Sequence, residues 1–179
     1  MTREQVLSFW FDEIDPKSWW SAEPAFDGRV RELFLPTLER AAAGECSDWR
    51  ASPEGRLAEI IVLDQFSRNI HRGTPLAFAQ DPMALALSQE AVAAGVLETL
   101  TTTQCAFLLM PYMHSESRAI HALAETLFAQ WAPGNNHDYE LRHKAIIDRF
   151  GRYPHRNAIL GRESTADELA FLQRPGSSF

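Results

Sequence analysis

Between Leu57 and Pro75 the chain reads LAEIIVLDQFSRNIHRGTP. Leu57, Ala58, Ile60, Ile61, Val62 and Leu63 are the mark of a buried central helix with no polar face. Asp64, Gln65, Arg68, Asn69, His71 and Arg72 then arrive within three turns. At about 100° per residue, Asp64, Arg68, His71 and Arg72 fall on the side already held by Leu57, Ile60 and Ile61. Charges on a buried stripe are costly unless they are paired or face a cavity. The spacing therefore predicts a polar pocket. A purely structural i, i+4 ion pair between Asp64 and Arg68 accounts for the same residues, so both readings stand at this point.

Three further clusters carry the residue types of a site. His114-Ser115-Glu116 opens the stretch before a long helix, and Glu116 is placed on the same side as Ile120, Leu123 and Leu127. His143 lies on the stripe of Tyr139, Ile146, Ile147 and Phe150, where a core histidine is the plainer reading. Arg149 precedes Gly151-Arg152-Tyr153-Pro154-His155-Arg156-Asn157, a Gly/Pro-shaped loop able to cradle a carboxylate or phosphate, or simply to cap a helix end. The ligand-binding candidates are thus Asp64, Gln65, Arg68, Asn69, His71, Arg72, His114, Glu116, His143, Arg149, His155, Arg156 and Asn157. Asp64, Arg68, Glu116 and His143 are expected to converge, because burying so many ionisable groups separately costs far more than letting them pair in one place. No single residue is assigned a catalytic role. His121, Glu125 and His137 read as surface residues. No dinucleotide, P-loop, zincin, nucleophile-elbow or EF-hand motif is present; Asp64, His71, His114, Glu116, His143 and His155 are metal-ligand types, but no spacing among them is diagnostic, and the residues name no cofactor.

The chain has 179 residues, is 45% hydrophobic and 23% charged, and holds 5 Trp and 11 Phe. That is the composition of one ordinary globular domain, residues 1–179, with a core over about 2–172 and a frayed tail over 173–179. The formal net charge of −7 argues against a nucleic-acid partner, which needs a basic face. Cys46 and Cys105 have no paired or metal-like spacing and read as reduced buried thiols. MTREQVLSFWF is not a signal peptide, and no apolar run reaches membrane-spanning length, so no membrane partner is expected and a cytoplasmic location is the default.

Helix signals fill the chain. Thr2 with Gln5, Thr101 with Gln104 and Thr165 with Glu168 have capping-box spacing. Ser52-Pro53 and Asp81-Pro82 open helices, and Gly44, Gly95 and Gly151 close them. A second helix over about 25–43 is expected to kink or divide at Pro36, and another to stop near Pro111. Ser115 is expected to cap the helix that ends at Trp131, and a further helix is expected over about 137–150. Trp10, Trp19 and Trp20 are expected to form one buried aromatic cluster with Phe9 and Phe11. Strand signals are nearly absent.

Long motifs then become familiar. FWF followed by WW, VLDQFSRNIHRG, AFAQDPMAL, MPYMHSE and RFGRYPHRNAILGRESTADELAFL together resemble the bacterial domain-of-unknown-function 924 family, over roughly Val6 to Leu172. Ile70-His71 and Tyr153 are small departures within those motifs. The resemblance implies an all-α, tetratricopeptide-repeat-like superhelix of about seven or eight antiparallel helices. The chain itself shows no repeat of fixed period. The resemblance carries no established activity and no catalytic residue. Two classes of function follow. One is a binding protein for a small anionic molecule, or for a peptide or protein partner, through the buried polar pocket. The alternative is a hydrolase or transferase acting on a small anionic metabolite. The oligomeric state is left open.

Overall fold

Each of the three capping boxes forms as the spacing predicts, with reciprocal side-chain and backbone bonds at Thr2/Gln5, Thr101/Gln104 and Thr165/Glu168. The computed structural model describes residues 1–178, and among these there is no strand. The helices are α1 (Arg3–Ser8), α2 (Pro24–Ala42), α3 (Pro53–Ile61), α4 (Ser67–Ile70), α5 (Asp81–Ala93), α6 (Thr102–Met113), α7 (Arg118–Trp131), α8 (Asn135–Phe150) and α9 (Ala166–Leu172). Short 3-10 turns, such as Pro16–Trp20, Ser47–Ala51 and Pro75–Phe78, fill several connections. The fold is all-helical. Successive helices pack as neighbours, α5 on α6, α6 on α7 and α7 on α8, which is compatible with a tetratricopeptide-like superhelix.

The central rod is α3 and α4 joined by a wider, π-type turn over Val62–Phe66. It packs on α1, α2, α5 and α6, and Leu57, Ala58, Ile60, Ile61, Val62 and Leu63 are all 0% exposed. Its entry is fixed at Gly55, where a Cβ would lie 1.9 Å from the Trp49 carbonyl oxygen. One correction applies to its apolar reading. Glu59 is buried too, held by two bonds of 2.7 Å from Arg50.

Prolines and serines proved weaker punctuation than their local chemistry suggests. α2 runs past Pro36 without dividing, and α6 continues through Pro111 to Met113. Proline forfeits one ladder bond, but Tyr112 and Met113 beyond it are buried, and their burial outweighs that loss. α7 starts at Arg118 behind Ser117, not Ser115, because the Tyr153 N–H and Arg162 hold the Glu116 side chain, and His121 of α7 holds the Ser115 carbonyl, outside the helix. α8 begins at Asn135, two residues early. At the tail, the Ser177 hydroxyl donates to the Leu172 carbonyl (3.1 Å). Phe179 lies outside the described residues.

The aromatic cluster forms with one exception. Trp10 and Phe9 are buried, Trp19 and Phe11 are half-buried, and the Trp19 indole donates to the Trp10 carbonyl at 2.8 Å. Trp20 is 66% exposed, contrary to expectation. The Pro16–Trp20 turn leaves its ring lying flat over Phe107 at the rim (6.2 Å, 12°) instead of inside. Trp10→Ala should therefore cost about 3–5 kcal/mol in chemical denaturation, and Trp20→Ala at most about 1 kcal/mol. Equal losses would contradict this division.

Candidate functional site

The widened turn of the central rod carries Asp64, whose side chain is 1% exposed. π-type turns inside helices are frequent at functional sites. Three donors fix the carboxylate. Gln65 Nε2 donates to Oδ2 at 2.6 Å, while Arg68 Nη1 (3.0 Å) and His114 Nδ1 (2.8 Å) converge on Oδ1. Burial works to raise the Asp64 pKa, but the Arg68 charge and the His114 bond overcome it and hold the carboxyl well below the usual range. Asp64 is therefore an ionised acceptor. His114 caps the C-terminal end of α6 and keeps 16% of its side chain exposed. Burial and the nearby Arg68 charge push its pKa down, so the ring is neutral at neutral pH.

Arg68 spans two carboxylates. Besides Asp64 it binds Asp81, at the first residue of α5, by contacts of 2.9 and 3.0 Å. Arg156 reaches the same Asp81 at 3.2 Å and donates to the His114 carbonyl at 3.1 Å. Its guanidinium lies 4.6 Å from the centroids of both the Phe78 and Tyr153 rings. Its Nε is buried with no acceptor. Burial and the Arg68 charge weaken its hold on its proton, while Asp81 works the other way. Two guanidiniums thus share one carboxylate in a largely desolvated setting, with His114 beside them.

The loop that delivers Arg156 leaves α8 at Gly151, whose φ of +71° suits glycine. Glu116 anchors it by accepting the Tyr153 N–H (2.7 Å) and a two-pronged bond from Arg162 (2.6 and 2.9 Å). Those bonds hold its pKa down against burial, so Glu116 is a brace already occupied. Arg162 also bonds Asn157, and Arg152 clamps Glu168 from the far side. Tyr153 is 0% exposed, donates to the Met113 carbonyl and touches His121, His143 and His155 with its ring. Burial pushes His143 down to about 3 against its hydrogen bond to the Tyr139 carbonyl, and burial with the Arg156 charge pushes His155 down to about 4.

Of the sequence candidates, the structure brings Asp64, Gln65, Arg68, His114 and Arg156 into direct contact. His143 and His155 join through Tyr153, and Glu116 and Asn157 sit in the bracing network. Asn69 and Arg72 turn instead to Asp27 on α2 (2.9 Å from Asn69; 2.5 and 2.9 Å from Arg72). His71 sits apart near Arg31, which pushes its pKa down after burial does. Arg149 is exposed, stacked on Phe150. Straight helical phasing grouped these residues, and the widened turn between Val62 and Phe66 breaks that phasing. Asp81, Tyr153 and Phe78 were missed. Asp81 gave only a helix-start signal, although AFAQDPMAL holds both Phe78 and Asp81. His121 is not surface but 0% exposed, bonded to Glu140 at 2.7 Å and to the Ser115 carbonyl at 2.9 Å.

No three His, Cys, Asp or Glu among the described residues gather as a metal site. Surface hollows of about 280 and 510 Å³ lie elsewhere, one beside Met1 and Trp49, the other beside Glu125 and His137. Both cysteines are buried and unpaired, as read from their spacing, and burial pushes their thiols up. No helix among the described residues is long and apolar enough to cross a membrane.

Residues 6–176 match the model of a family described as bacterial protein of unknown function (DUF924). The chain belongs to this family. A solved structure of a protein of unknown function from Agrobacterium tumefaciens is similar at 33% identity, covering 96% of each chain with a TM-score of 0.91. No curated protein matches. Every residue of the Asp64–Arg68–Asp81–His114–Arg156 cluster falls inside the family match.

The network sets two expectations. Arg68→Ala leaves Asp64 and Asp81 undercompensated and should cost about 3–5 kcal/mol. Replacing Asp64 and Arg68 together by Leu and Met keeps Asp81 matched with Arg156 and should cost less, as read by urea unfolding. The second concerns acid. His143 and His155 have folded values of about 3 and about 4 against an ordinary 6.5, so the folded state binds fewer protons between those limits. Their contribution is fully present above pH 6.5 and fades as the pH falls towards 4. Glu140, raised by burial, acts in the opposite sense: its contribution is lost as the pH rises through its folded value. Stability should fall from pH 7 to 5, and His143→Gln should flatten that fall by about 1 kcal/mol per pH unit. An unchanged slope would show that His143 does not stay neutral.

Proposed function

We propose that the cluster on the central rod binds a small anionic molecule, carrying a carboxylate or a phosphate, through Arg68 and Arg156. One observation carries this reading: two guanidiniums converge on the single carboxylate of Asp81. Planar guanidinium forks suit carboxylate and phosphate oxygens, and they act most strongly where water is scarce. Phe78 and Tyr153 hold Arg156 from its faces, which fixes the direction of its fork before any ligand arrives. His114 adds a neutral ring with a polar edge beside the two cations. A peptide-binding groove needs no such buried charge, so the small-molecule reading is the better supported.

Inorganic phosphate and succinate, tested by thermal shift and calorimetry at constant ionic strength, should raise the melting temperature of the parent chain. Ligand at about 100 times its Kd stabilises a folded protein by about 2.7 kcal/mol. Arg156→Lys keeps the charge but loses the fork, and should weaken binding about tenfold or more. If neither anion stabilises the parent beyond chloride, the reading fails.

A further inference from the structure

The geometry points to His114 Nε2 as the general base of this site: it removes a proton from a hydroxyl group of the bound anionic ligand, or from a water molecule beside it. This rests on the anion-binding reading above. The argument begins with which nitrogen carries hydrogen. All three groups around the Asp64 side chain, from Gln65, Arg68 and His114, lie at hydrogen-bond distance, and the carboxylate only accepts. His114 Nδ1 must therefore carry the ring proton, and the lone pair of the neutral imidazole is on Nε2. Nε2 makes no hydrogen bond to any described residue, and it is not among the buried atoms left without a partner. Asp64 behind and the lone pair in front form the orienting pair used in acid–base catalysis.

Proton transfer is also accommodated afterwards. The proton moves onto Nε2, its electron pair stays on the ligand or water oxygen, and an imidazolium forms beside ionised Asp64. His114 caps α6, where the unpaired carbonyls of a helix end favour positive charge. Return of the proton from Nε2 to the departing or rearranged group restores the starting state, with no oxidant or metal in the balance. Burial and Arg68 lower the basicity of the ring, which keeps it unprotonated and ready at neutral pH.

Two alkylating probes test the base and the anion seat separately. In both, a bond forms from Nε2 to the probe's methylene carbon as the carbon–bromine bond breaks and bromide leaves. Bromoacetate carries a carboxylate and bromoacetamide is neutral. Mass spectrometry of peptides is expected to find His114 carboxymethylated by bromoacetate at least about tenfold faster than it is alkylated by bromoacetamide, from electrostatic steering, and slowed by added acetate. His71, with Arg31 and Glu39 both nearby and opposite in charge, should discriminate less than His114. If both probes modify His114 equally, the base stands and the anion seat fails. If neither modifies His114 while His71 reacts, the base is overturned. Asp64→Asn presents an amide able to donate to Nδ1, moves the ring proton to Nε2 and should slow the reaction about tenfold or more. Should that variant not fold, nitrogen-15 spectra of the parent decide: an unprotonated Nε2 supports the base, and a protonated Nε2 overturns it.

Discussion

A carboxylate sealed inside a helix core is stable only if its negative charge is met on several sides, and Asp64 is met on three. Gln65 comes from the next residue, Arg68 from one turn on, and His114 from the end of α6. That requirement ties the central rod to α6. Because Arg68 has donors to spare, it also ties the rod to α5 through Asp81, and Asp81 in turn recruits Arg156 from the loop after α8. Three helices and a loop thus meet around one buried charge. Removing one of the charged members leaves an undercompensated ion, and removing Gln65 or His114 leaves Asp64 short of a donor, so the network behaves as a unit, not as a set of independent bridges.

The loop bearing Arg156 is short of regular structure yet well held. Glu116 grips it from before α7, and Arg162 and Arg152 clamp it from within and from behind. Aromatic faces do the rest: Tyr153 lies under Arg156, and Phe78 covers it from the turn before α5. Fixing a long arginine in this way reduces the freedom it would lose on binding an anion.

Much of this was legible in the sequence, for identifiable reasons. Capping boxes and Pro-initiated helices are local chemistry, and the boundaries they mark at Thr2, Ser52, Thr101 and Thr165 follow directly. The buried run from Leu57 to Leu63 and the charges beyond it announced a polar cluster. Other features depend on long-range partners. His121 looks like a surface residue until Glu140 arrives from α8, and Glu59 hides among apolar neighbours until Arg50 reaches it. Asp81 shows nothing beyond a helix start until two arginines from distant segments meet on it. Trp20 shows the converse, since aromatic character predicts burial but a short turn holds it at the rim.

The widened turn over Val62–Phe66 has a further consequence for how this segment tolerates change in length. A π-type turn closes i→i+5 bonds and so holds one residue more than an α-helical turn between the same flanking segments. Losing one residue there would let the rod continue as ordinary α-helix, with Arg68 and Asn69 kept near Asp81 and Asp27 while Asp64 leaves its place between Gln65, Arg68 and His114. Chain length through the turn is thus a determinant of the cluster in its own right, separate from the residues that form it.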